Sequence, residues 1–150
     1  MTPEKMKKAY LAAAVAAGGI TGAIVFYTVI AEAVRAMGHT PPLAPPAAYA
    51  VKYALYIIGL SALAVLKFSA GKFAEKKATP EETVKALTVQ AMVKAGVCEL
   101  PAVCGLIMFL LTGYRLDFYL LVIFSLGLEI YHFPRLALWE ERLRGDFGQL

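Results

Sequence analysis

The chain has 150 residues, 59% of them hydrophobic and 17% charged, with a formal net charge of +4. That is too apolar for an ordinary soluble domain, and the apolar residues gather into long runs, roughly Tyr10–Val34, Tyr49–Leu66, Val89–Thr112 and Leu116–Phe133. Nucleic-acid binding is excluded as well, because the basic residues sit at the ends of those runs and form no aromatic-interleaved face.

Each run reaches the length of about 18–20 residues that a helix needs to cross a hydrocarbon core about 30 Å thick. The expected fold is therefore an all-α integral membrane protein with a single domain over residues 1–150. Four transmembrane helices (spans about 10–34, 49–66, 89–112 and 116–133) form two antiparallel hairpins, and a tail covers 134–150. A soluble bundle would need polar faces that the first and fourth runs lack. Lys5, Lys7 and Lys8 before the first run invite a signal-peptide reading, but the run is too long for a signal core and reads as an uncleaved span. Basic residues lie before span one, between spans two and three (Lys67, Lys72, Lys76, Lys77, Lys85) and after span four (Arg135, Arg142, Arg144). The positive-inside bias places both termini and the middle loop in the cytoplasm, with anionic lipid attracted to that face.

Span one carries Gly18 and Gly22 in GxxxG spacing, a pattern that lets another helix approach closely. The loop His39–Pro46 is rich in proline and is expected to be a non-helical cap on the external side. Around it, Glu32 and Lys52 are equidistant from residue 42 and are expected to pair at the interface. The middle segment ends in Thr79-Pro80-Glu81-Glu82, a capping box with proline at the first helical position. Helix three then runs from Pro80 to Thr112, about 50 Å, so its first turns extend into the cytoplasm. After Phe133-Pro134, the tail is expected to form a short surface helix with Trp139 among the lipid headgroups.

Helix three holds the chemistry. Small residues at Ala91, Ala95, Cys98, Ala102 and Gly105 form a close-packing stripe, and Glu99 lies beside it at membrane depth. An intramembrane carboxylate costs about 3 kcal/mol on insertion scales and marks a partner or a task. Pro101 withdraws the N–H that the Val97 carbonyl would accept. Cys98 and Cys104, six residues apart on one helix, cannot bridge each other and read as small core residues. The short turn Gly113–Leu116 makes helices three and four antiparallel, so Glu99 and Glu129 share a depth, with His132 one turn beyond Glu129.

This cluster admits several uses. Glu99 and Glu129 can share a proton. With the Val97 carbonyl they can bind Na⁺ or another hard cation. Glu129 and His132 can bind a transition metal, although the single Glu-x-x-His supplies only half of a di-iron motif. The groups can also simply satisfy one another. No resident cofactor is implied beyond a bound H⁺ or Na⁺.

The stretch from Thr79 to Leu106, with its Thr79-Pro80-Glu81 loop and with Gly105-Leu106 six residues after Glu99, resembles the loop and second helix of proteolipid (c-ring) subunits of rotary ATP synthases. The resemblance covers residues 79–113, and the family's glycine-rich first helix has no counterpart here. It implies that Glu99 takes and releases the transported H⁺ or Na⁺, in a homo-oligomer or as a subunit of a larger membrane complex. With the loop polarity, it implies the cytoplasmic (inner) membrane of a prokaryote. The alternative is a structural scaffold whose helix three, basic loop and tail dock a cytoplasmic partner. An enzyme is not expected: the sequence has no nucleophile–base pair, phosphate loop, HExxH or CxxC.

Overall fold

A computed structural model describes residues 3–72 and 78–148, so Lys76 and Lys77 of the basic middle segment lie outside the described residues. Five helices and no strand are found among them: α1 (Pro3–Ala36), α2 (Pro45–Lys72), α3 (Pro80–Thr112), α4 (Arg115–His132) and α5 (Leu136–Phe147). Three helices, α1 to α3, are long and apolar enough to cross a membrane, and a fourth span results if α4 and α5, bent by 43° at their junction, count as one.

Helix α2 starts earlier than expected. Pro45 and Pro46 belong to its first turn, where a missing N–H leaves no hydrogen bond unmade. The Thr79 side chain accepts the Glu82 N–H at 3.3 Å, which caps α3 at its predicted start. At the other end Gly113 adopts φ +74°, and its N–H returns to the Phe109 carbonyl at 2.8 Å. A Cβ at Gly113 would lie 2.6 Å from Pro41 Cγ, so the proline loop and the α3–α4 turn require glycine there. The Leu43 N–H donates to the Leu111 carbonyl at 3.2 Å, and both connections therefore share one end of the molecule.

The packing differs from two closed hairpins. Helix α3 is the hub: α1, α2 and α4 all pack on it, while α1 and α2 barely touch each other. Because α1 and α3 both end at the shared turns and begin beside each other, where Lys5 meets Glu81 at 3.7 Å, they run parallel. On α1, Ala13, Ala17, Ile24 and Ala31 face inward at spacings of four and seven. Gly18 and Gly22 do not: both are exposed, and a Cβ at either would meet nothing within 4 Å, so this GxxxG pair packs against nothing within the chain.

Helix α5 also departs from expectation. Trp139 is only 4% exposed and packs with Met6, Ala13, Val84, Ala91 and Leu143, its ring edge-on to Tyr10 at 5.7 Å. The first turns of α3 are thus covered by the start of α1 and by α5. Trp139 anchors this layer from within the protein packing and does not present its ring to lipid, because the apolar side chains of α1, α3 and α5 enclose it.

Candidate functional site

All five stripe residues are buried, and they form the seams of the hub. Ala91 meets the α1–α5 layer, and Cys98 packs with Ala62 and Leu66 of α2 and Leu128 of α4. Ala102 packs with Ile24 of α1 and Val122 of α4, and Gly105 lies against Phe118 and Leu121 of α4. Small side chains let α3 approach three neighbours at once, which is why polar groups of α1 and α4 reach it.

Glu99 and Glu129 sit on either side of the α3 seam. Glu129 projects from α4 into it, is 2% exposed and accepts a hydrogen bond from the Cys98 thiol. Its second oxygen, Oε2, is buried without any hydrogen-bond partner. Glu99, half-buried on the α1 side, accepts a short hydrogen bond from the Tyr27 hydroxyl. The two carboxyl groups are near enough for their charges to interact. One turn of α4 earlier, the Ser125 hydroxyl donates to the Cys98 carbonyl and ties α4 to α3.

No family model, curated protein or solved structure matches the chain. Function has to be read from this geometry.

Of two expected associations, the structure separates one. The Ser125 hydroxyl donates to the Cys98 carbonyl, one residue on from the Val97 carbonyl that Pro101 frees, and the Val97 side chain packs against the cluster of Ala62, Leu66, Cys98 and Leu128. Glu129 and His132 do not share a site: Glu129 enters the seam, whereas His132 opens into a cavity with Lys94 and Arg135, where a metal cation would be repelled. Among the described residues no three His, Cys, Asp or Glu side chains converge as metal ligands.

Glu32 and Lys52 also find other partners. Arg35 holds Glu32 at 2.7 Å and Arg115 at 3.1 Å, with the Tyr119 hydroxyl donating to it as well. Lys52 is paired with Asp117 at 2.8 Å, and Asp117 also accepts from Tyr56 at 2.8 Å. Because α1 and α2 stand apart on the hub, residues equidistant from the loop tip do not meet. The charges at the turn end are therefore neutralised through α4.

Tyr27, Ser125 and Asp117 were missed by sequence reasoning. Asp117 had a signal, a carboxylate at the start of a span near the end where Lys52 lies. Tyr27 had none, since a tyrosine in an Ala- and Gly-rich helix reads as packing.

Proposed function

We propose that this chain is a proteolipid-like membrane subunit that binds a proton at the intramembrane carboxylate pair Glu99 and Glu129. The observation that carries this reading is the buried, unpartnered Oε2 of Glu129. An ionised carboxylate with an orphan oxygen in an apolar seam is strongly unfavourable; a proton on that oxygen, or a cation against it, removes the penalty. A hard cation takes about six oxygen ligands. The seam offers the two carboxyl groups and Ser125, with Glu99 engaged by Tyr27 and Ser125 by Cys98. A proton needs one oxygen, so the donor set favours H⁺ over Na⁺. Tyr27 holds Glu99 as the half-buried member through which a proton would arrive or leave.

The four-span topology with cytoplasmic termini belongs to this proposal. It is supported by the pairing of Arg35, Arg115 and Lys52 with acids at the turn end. Lys7, Lys8 and Arg144 are exposed at the other end. Residence in a prokaryotic cytoplasmic membrane and kinship with proteolipid subunits rest on the resemblance over residues 79–113. The unpartnered Gly18 and Gly22 suit assembly with further copies or a larger complex. The scaffold reading ranks second because α1 and α5 already occupy the first turns of α3.

The test is infrared difference spectroscopy of the protein reconstituted in lipid, titrated with acid and base. We expect a carboxyl band that changes with pH, disappears in Glu129→Gln and is unaffected by Na⁺. Suppression of the band by Na⁺ would reassign the site to a cation. Absence of any titrating band assignable to Glu129 or Glu99 would leave the structural reading in the lead.

A further inference from the structure

A second polar feature lies at the α4–α5 break, away from the carboxylate pair. A cavity of about 120 Å³ opens there, and its polar lining is Lys94, Gln90, His132 and Arg135, with Leu87 and Trp139 on its apolar side. No Asp or Glu lines it among the described residues. Helix α5 begins at its edge: Arg135 is the N-cap residue, no side chain caps the helix, and its first turn contains no acidic residue. The positive end of a 12-residue helix thus adds to the basic side chains.

Depth selects the ligand. Along α3, Lys94 is eighteen residues before Thr112, about 27 Å, which is close to the thickness of a hydrocarbon core. With the turn end at one membrane surface, the cavity falls at the headgroup layer of the other. Phosphate oxygens are the anions of that layer, and Arg and Lys are the side chains that bind them. Leu87, seven residues before Lys94 on α3, closes the cavity on the side away from the acyl region.

We infer that the cavity bounded by Lys94, His132 and Arg135 is a binding site for an anionic phosphate group. Both a headgroup of an anionic phospholipid and free phosphate present this chemistry. Arg135 and Lys94 contact the oxyanion, Gln90 and His132 supply hydrogen bonds, and the α5 N-terminus faces it. Occupation would also lock the bend between α4 and α5.

Trp139 lines the cavity and is the only tryptophan in the chain, so its fluorescence reports entry. The full chain, purified in neutral detergent, is titrated with short-chain phosphatidylglycerol, with phosphatidylcholine and with inorganic phosphate. We expect a saturable change with phosphatidylglycerol and none with phosphatidylcholine. A matching change with inorganic phosphate names free phosphate as a sufficient ligand; response to phosphatidylglycerol alone names the lipid. The double substitution Lys94→Gln with Arg135→Gln should weaken binding about thirtyfold, from about 1 kcal/mol for each cation. Lys94→Arg with Arg135→Lys should retain it, which separates lost charge from lost fold. Removing two exposed charges elsewhere, Lys7→Gln with Lys8→Gln, should leave binding unchanged. The proposal is overturned if neither anion changes the fluorescence, if phosphatidylcholine acts equally, or if the Lys7/Lys8 variant weakens binding as much as the Lys94/Arg135 variant.

Discussion

Gly105 of α3 lies flush against Leu121 of α4: a Cβ at position 105 would sit 3.1 Å from Leu121 Cβ and 3.2 Å from the Phe118 carbonyl oxygen. Neither atom is the end of a flexible side chain, so the helices can accept a methyl group only by separating. Gly105→Ala should destabilise the protein by about 1–3 kcal/mol, the usual range for overpacking. Gly96→Ala, where a Cβ meets nothing within 4 Å, should be neutral or slightly stabilising through helix propensity. Unfolding of both variants by denaturing detergent, followed by circular dichroism, distinguishes the two.

The bond from Tyr27 to Glu99 shields the carboxyl that a membrane-permeant carbodiimide would attack. Tyr27→Phe should raise labelling of Glu99 severalfold at fixed pH, read by mass spectrometry of the α3 peptide. Exposed Glu81 and Glu82 serve as internal references. Equal labelling in wild type and variant would mean that the hydroxyl does not guard Glu99.

Lys52 should be coupled to Asp117 and not to Glu32. A double-mutant cycle with Lys52→Met and Asp117→Asn is expected to show about 0.5–1 kcal/mol of interaction. The cycle with Lys52→Met and Glu32→Gln should show additivity. Coupling in the second cycle alone would restore the pairing across the α1–α2 loop.

Trp139→Ala should cost about 3 kcal/mol and loosen α5, since the ring is buried between α1 and α3. Leu138→Ala, an exposed neighbour, should stay within about 0.5 kcal/mol. Limited proteolysis after Phe133 would register the release of α5 in the first variant and its retention in the second.

Reporters fused at the two termini should both be active on the cytoplasmic side, and one inserted at residue 42 only on the opposite side. Reporters of the termini on opposite sides would rule out an even number of spans.

The membrane class, the helix starts at Pro80 and the turn at Gly113 were legible because each depends on local chemistry: apolar length, a threonine cap, a residue with φ above zero. The relative depth of α3 and α4 was legible too. A short turn, two residues long between the helices (Gly113 and Tyr114), sets their register, and Cys98, next to Glu99, does contact Glu129. The roles of the two carboxylates were not. Glu99 stands out in the sequence, yet Glu129 is the buried group with an orphan oxygen, and only helix rotation decides that.

Amino-acid order by itself determined which segments become helices, where they are capped and which pairs share a depth through a short turn. Tertiary structure alone decided that α1 packs along α3. The two are joined through the whole of α2, so no local register links Tyr27 to Glu99. It also decided that α1 and α2 stand apart, which sends Glu32 to Arg115 and Lys52 to Asp117. Contacts set by connection length can be counted along a chain, whereas contacts set by how small residues let helices converge on a hub appear only once the helices have packed.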